Sequence, residues 1–213
     1  MKIVNVMASS IDGRIGLSSN ESDEERRSYG FTNIEDREFV RSQILSADAV
    51  MTGAKSMRAS SGAWLQKNQK DQFPHWYVFS NRGLEPDLEF WRQRDIPRTV
   101  VSESLQDKET FADLDVDLIY SKRGLAALDA VKDAEERGFE KVLLFGGGFI
   151  NKIFYAANLV DELMLTLCPK ILGSVQAPYF VSPPIPRPVS LNLVSSHASR
   201  SHVFLHYKIQ KDA

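Results

Sequence analysis

Lys141-Val142-Leu143-Leu144-Phe145-Gly146-Gly147-Gly148-Phe149-Ile150-Asn151-Lys152-Ile153-Phe154 is the stretch on which the fold turns. Its first five residues are short and almost wholly apolar, as in a buried strand. Three glycines break the run, and a helical pattern opens at Phe149. A strand that passes through glycines into a helix can hold an anion. Backbone N–H groups without neighbouring Cβ atoms come close to a phosphate, and the helix N-terminus adds partial positive charge. Such a turn serves equally as a plain tight connection, so its meaning depends on the rest of the chain.

Working outward, the same alternation recurs. Lys2–Ala8 reads as a first strand ending in the turn Ser9-Ser10-Ile11-Asp12-Gly13, and residues 18–30 read as a polar loop. Thr32 and Asn33 before Glu35 and Asp36 mark a helix start, with Phe39, Val40, Ile44 and Ala47 as its apolar stripe. Ala49–Thr52 is a strand broken at Gly53, and residues 55–74 read as a long loop with a short helix. Trp76–Phe79, Thr99–Val101 and Leu118–Tyr120 are further strands. Leu125–Arg137 is an amphipathic helix striped by Leu125, Leu128, Val131 and Ala134, with Gly138 as its cap. After Leu163–Cys168 comes the proline-rich connector of residues 182–188, then two alternating segments, Ser190–Ser195 and His202–Gln210. In the last of these Val203, Leu205, Tyr207 and Ile209 are expected to face the core. The fold class that follows is α/β: a mostly parallel central sheet flanked by helices, with an antiparallel C-terminal hairpin, in one domain over residues 1–213. Ligand phosphates should sit at the carboxyl ends of the strands.

Composition narrows the function. A net charge of −2 lacks the basic excess of a nonspecific nucleic-acid binder. No apolar run reaches the roughly 18–20 residues of a membrane span, and the N-terminus lacks the pattern of a signal peptide, which leaves the cytoplasm as the expected compartment. The single cysteine, Cys168, rules out an internal disulfide framework and reads as a buried small hydrophobe. The four histidines form no ligand cluster, and no metal is expected.

Three strand ends carry small or hydroxyl-bearing residues suited to phosphates: Thr52-Gly53-Ala54-Lys55-Ser56, Ser80-Asn81-Arg82-Gly83 and the glycine triplet. A dinucleotide needs several such sites along one sheet edge. The dinucleotide fingerprint that follows a first strand is missing, and a basic residue such as Lys55 or Arg82 near a cofactor turn favours NADPH over NADH.

At this point the chain resembles the dihydrofolate-reductase-like superfamily, in the branch of the bacterial riboflavin-biosynthesis reductase domain. The resemblance rests on Ala8-Ser9-Ser10-Ile11-Asp12-Gly13-Arg14-Ile15, on Ser46-Ala47-Asp48-Ala49-Val50-Met51-Thr52-Gly53, and on Gly146-Gly147-Gly148. Leu159-Val160-Asp161-Glu162-Leu163 and Cys168-Pro169-Lys170-Ile171-Leu172-Gly173 complete it. It implies an NADPH cleft in which Thr52, Gly53, Lys55 and Ser56 hold the pyrophosphate and adenosine side. Ser80 and Arg82 would lie near the 2′-phosphate, and Gly146, Gly147, Gly148, Phe149 and Ile150 would form the second phosphate turn. Asp12 would border nicotinamide and substrate as the candidate catalytic proton donor, with a bound water as the alternative. Ser10 and Thr32 would face substrate. Asp12 equally suits a turn, Thr32 an N-cap, and Arg82 a solvated loop charge. The family's deaminase portion, and the zinc that goes with it, are not expected.

The departures fall on the substrate side. Where relatives reducing the riboflavin intermediate carry a lysine, an arginine, an acidic pair and a glutamate, this chain has Val6, Ile44, Ser60-Ser61 and Phe145. The leading expectation is an NADPH-dependent reductase acting on a small carbonyl- or imine-type substrate, nearest to 5-amino-6-(5-phosphoribosylamino)uracil reductase. A pterin-like or other small substrate is the second reading, and a non-catalytic NADPH-binding sensor the third. The alternating C-terminal strands leave a sheet edge that a homodimer would cover, as the resemblance also implies.

Overall fold

The computed structural model describes residues 1–60, 62–81, 84–85, 87–104, 111 and 116–211. Arg82, named above beside the 2′-phosphate, and Ser61 lie outside the described residues. Nine strands form one sheet: β1 Lys2–Ser10, β2 Ala49–Gly53, β3 His75–Phe79, β4 Arg98–Ser102, β5 Asp117–Tyr120, β6 Lys141–Gly146, β7 Glu162–Cys168, β8 Leu191–Ser199 and β9 His202–Ile209. Among the described residues the helices are α1 Asp23–Ser28, α2 Ile34–Ile44, α3 Ala54–Ser60, α4 Glu89–Arg92, α5 Ala126–Glu136 and α6 Gly148–Ala156.

The strand order is β5-β4-β3-β2-β6-β1-β7-β9-β8. Pairing is parallel from β5 through β7, and β9 and β8 close the sheet antiparallel. β2 and β3 are buried throughout, as continuous apolar runs require when both faces are covered. One face packs Ile3, Met51, Tyr77 and Leu144 against Ala130 of α5 and Phe154 of α6. The other packs Val4, Val50, Trp76 and Leu143 beneath Ile44 of α2 and Met57 of α3. The ends of β1, β2 and β6 meet where the strand order reverses around β1, the place where such sheets bind ligands.

Several expectations change in the structure. Residues 18–30 are not all loop: Ser22 and Glu25 form a capping box that starts α1. α2 is capped by Asn33, not Thr32, because the Asn33 side chain accepts from the Asp36 N–H at 2.9 Å. The stripe of α5 is alanine: Ala126, Ala127, Ala130 and Ala134 are buried with Val131, while Leu125 and Leu128 are exposed. Small side chains let this helix lie close to the sheet. Burial along β9 departs from the alternation argument, although Ile209 does pack against the core. His202 and Phe204 are the buried pair, and Val203, Leu205, Tyr207 and Ile209 are only half-buried. α2 reaches across this strand, so Phe204 packs on Phe39 at 5.2 Å and His202 Nδ1 meets the Asn33 side-chain amide at 3.0 Å. The edge strand is β8, exposed along nearly its whole length with Leu191, Leu193 and Val194 bare.

Candidate functional site

The glycine triplet is one turn with three separate requirements. Gly146 has φ +62°, and a Cβ there would stand 2.4 Å from Asn151 Oδ1 and 2.8 Å from Met7 Sδ. Asn151 belongs to a buried network: Asn5 Nδ2 donates to it at 3.2 Å and to the Leu144 carbonyl at 2.8 Å, and the Tyr155 hydroxyl donates to Asn5 Oδ1 at 3.0 Å. Both asparagines are fully buried, so this network pins β1, β6 and α6 together. At Gly148 a Cβ would stand 2.5 Å from the Tyr179 carbonyl, because the 179–182 segment crosses over the helix start. Only Gly147 is open. It caps α6 at φ 92° and ψ 141°, and the one atom near its missing Cβ is Ser56 Oγ, at 3.5 Å.

Ser56 and Gly147 thus face each other across a cleft, which Thr52, Thr32 and Ser60 also line. Four of the site residues expected from sequence are therefore brought together: Thr32, Thr52, Ser56 and Gly147. A glycine cradle that a Cβ would fill, opposite two hydroxyls and at the start of a nine-residue helix, fits the phosphates of a nucleotide. Other candidates serve the walls. Gly53 leaves room for Ile150, whose Cγ1 would lie 3.0 Å from an added Cβ, and Ile150 is buried. Lys55 and Phe149 are exposed nearby, while Ser80 is buried at the end of β3, donating its backbone N–H to the Val101 carbonyl.

Asp12 and Ser10 stand together in a hydrogen-bonded knot beside the cleft. The Asp12 carboxylate accepts from the Ser10 hydroxyl at 2.7 Å and from the backbone N–H groups of Leu172 and Gly173 at 3.0 and 2.8 Å. These bonds, Ser10's foremost, hold its acidity far below the ordinary carboxylate range. A carboxylate so satisfied clamps the loop after β7 onto the loop after β1. Ser10 is committed to the same knot, donating to Asp12 and accepting the Arg14 N–H at 2.9 Å. Neither side chain lines the cleft.

The cleft continues between α1, α2 and the sheet, and beside Val6 and Phe145 its walls hold residues that the sequence reading missed. Val6, Phe145, Trp76, Trp64, Phe31 and Val40 make it largely aromatic and apolar. The Trp76 ring meets Phe145 edge-on at 5.9 Å, and its indole N–H is buried without a partner among the described residues. Asp36 also lines the cleft, 7% exposed. Burial raises its pKa above the ordinary value, while the Thr166 hydroxyl bonded to it and the nearby His202 oppose that shift. Asp36 shared a helical face with Phe39 and Val40 in sequence, a sign of burial that its acidic type masks. At the mouth stand Arg27 and Arg37, both exposed and meeting no carboxylate among the described residues; Arg37 lies 5.9 Å over the Trp64 ring. Cys168 is buried in β7, its thiol pushed up to about 12 mainly by desolvation, and so is inert. Among the described residues no three His, Cys, Asp or Glu stand together as a metal site, and no helix is long and apolar enough to cross a membrane.

Comparison with known proteins matches residues 1–205 to the family model of the RibD C-terminal domain. Among solved structures, a pyrimidine reductase-like protein of Corynebacterium diphtheriae superposes with a TM-score of 0.86 at 18% identity, covering 99% of this chain and 92% of that one. The RibD of Acinetobacter baumannii gives 0.77 at 19% identity, covering 99% of this chain and 58% of its own. The riboflavin biosynthesis reductase Rib7 of Saccharomyces cerevisiae gives 0.71 at 17%, covering 98% and 90%. The chain thus spans a little over half the length of RibD and nearly all of the other two.

Proposed function

Since the chain belongs to the RibD C-terminal domain family and has its dihydrofolate-reductase-like fold, we propose that it is a single-domain, NADPH-dependent reductase. Its substrate is a small carbonyl or imine, and the nearest known reaction is the reduction of 5-amino-6-(5-phosphoribosylamino)uracil. The observation that carries this is one continuous cleft. It begins at the Gly147–Ser56 cradle and runs into an aromatic pocket with two unpaired arginines at its mouth. Phosphates suit the cradle, a flat ring suits the aromatic walls, and a phosphate tail on the substrate suits Arg27 and Arg37.

When bound, the nicotinamide would supply a hydride to the substrate carbon. The chain's residues do the rest. Thr52, Ser56 and the N–H groups around Gly147 would hold phosphate oxygens, while Lys55 and Ser80 would serve the side of the adenosine and its 2′-phosphate. Phe145, Trp76 and Val6 would exclude water from the reacting face and offer apolar walls to a flat substrate ring. A second reading, a less charged carbonyl or pterin-like ring, is favoured by one fact: Val6, Ser60 and Phe145, three positions where charged groups are expected of the riboflavin enzymes, all line this pocket. The bare β8 edge supports a homodimer, and a cytoplasmic setting accords with the buried free thiol.

Nicotinamide absorbance decides between these. Steady oxidation of NADPH with 5-amino-6-(5-phosphoribosylamino)uracil supports the first reading. Oxidation only with an unphosphorylated ring supports the second, and NADPH binding without turnover on any candidate leaves a sensor.

A further inference from the structure

The aromatic walls of the pocket differ in how they are held. Trp76 and Phe145 stand on β3 and β6, and Phe31 is 1% exposed. Trp64 stands outside every helix and strand, yet it lines the cleft and is only half-buried. A side chain on an irregular segment offers a defined surface only if its backbone is fixed from elsewhere. Here Gln93, which closes α4, does the fixing. Its Oε1 accepts the Ala63 N–H at 2.8 Å and its Nε2 donates to the Ala63 carbonyl at 3.1 Å, the two bonds a neighbouring strand would make. Gly62 leaves room for this amide: at φ +155° an added Cβ would stand 2.9 Å from Gln93 Oε1. Gln93 is anchored in turn, since its carbonyl accepts the Ile96 N–H at 3.0 Å and the Arg98 guanidinium. Ala63 packs into the core beneath α2 and α3. From α2, the Arg37 guanidinium lies 5.9 Å over the Trp64 ring, within cation–π reach.

We infer that Trp64 is the specificity-determining residue of this pocket, stacking on the flat ring of the substrate, and that Gln93 is its positioning residue. The inference rests on the reductase reading above. An indole face attracts a planar ring through dispersion and complementary quadrupoles, and gives a flexible sugar chain nothing comparable. The same indole steadies Arg37, so ring and anionic tail are read side by side. Trp64 would touch the ring before and during reaction alike, so its loss falls on KM more than on kcat. Gln93 does not line the cleft and acts only through the backbone beside Trp64.

Fluorine NMR of the whole chain labelled with 5-fluorotryptophan tests both roles. Trp64, Trp76 and Trp91 are the only tryptophans, and Trp64→Phe assigns the resonance of Trp64. Adding 5-amino-6-(5-phosphoribosylamino)uracil, or its unphosphorylated ring, should move that resonance, and Gln93→Ala should shift or broaden it before any ligand is present. In steady-state kinetics Trp64→Ala should raise KM for this uracil at least about tenfold, with kcat within about threefold and NADPH affinity within about twofold. Trp64→Phe, which keeps a flat face, should recover most of the loss. Gln93→Ala and Gly62→Ala attack the bracket from its two sides. Each should raise KM roughly three- to tenfold, and the double variant should do no worse than the weaker single one. An unchanged KM in Trp64→Ala overturns the specificity role. Gln93→Ala that lowers Tm but leaves both KM and the Trp64 resonance unmoved shows a merely structural bracket and overturns the positioning role. If wild type binds NADPH but leaves this uracil unreduced, the proposed substrate fails and the ring titrations alone decide: a Trp64 resonance that neither ring moves overturns the inference.

Discussion

Replacing Gly147 with alanine separates cofactor binding from folding. Gly147 sits at φ 92° and ψ 141°, close to backbone space that only glycine occupies readily. An added Cβ meets nothing but Ser56 Oγ at 3.5 Å, ordinary van der Waals contact, so the folded state suffers backbone strain and no clash. That strain costs about 1–3 kcal/mol, which in a chain of this size lowers Tm by roughly 2–12 °C. The same methyl occupies the approach to the N–H groups that would cradle a phosphate. Losing one charge-assisted hydrogen bond, worth about 1.5–3 kcal/mol, weakens binding by roughly 10- to 150-fold. Gly146→Ala is the contrast, because its methyl would drive into Asn151 Oδ1 at 2.4 Å and break a buried network. It should lower Tm more than Gly147→Ala does. NADPH titration by fluorescence, with thermal melts of both variants, makes the measurement. A folded Gly147→Ala protein that binds NADPH as tightly as wild type would refute the cradle, leaving the turn purely structural.

Other outcomes can be checked in parallel. NADPH should bind at least about tenfold tighter than NADH, since one or more charge-assisted bonds to a 2′-phosphate are at stake; equal affinities in a titration would contradict the role given to Lys55 and Ser80. Light scattering should report about twice the 24.0 kDa chain mass, and Leu193→Asp on the bare β8 edge should yield monomer; a wild-type monomer at micromolar concentration rules the dimer out. Asp12→Asn should destabilise the protein at pH 7. Because the acidity of Asp12 is depressed in the fold, its stabilisation is full above the unfolded value near 4 and disappears as pH falls below it, so the two melting curves should converge in strong acid. Curves that stay equally far apart at every pH would show that the carboxylate's charge is not what clamps residues 172–173.

The sheet was legible because strand and helix periods alternate clearly. β2, β3 and β6 are short apolar runs, each closed by a turn, and the glycine triplet marked the strand end where phosphates belong. The facing of β9 was not legible. Alternation defines two faces but not which is covered, and that is decided by α2, some 160 residues earlier in the chain, packing Phe39 onto Phe204. Residue type also misled at the site. Asp12 stands in a loop where a carboxylate suits chemistry, yet backbone N–H groups from residues 172–173 reach it only after β7 has come alongside β1. Asp36 reads as a solvated first-turn acid until the fold buries it beside Thr166 of β7. Sequence determined the elements, their order and the cradle's glycines, because backbone conformation and hydrophobic period are local properties. Which carboxyl is satisfied and which is desolvated depends on groups from distant strands, and only the tertiary structure brought those together.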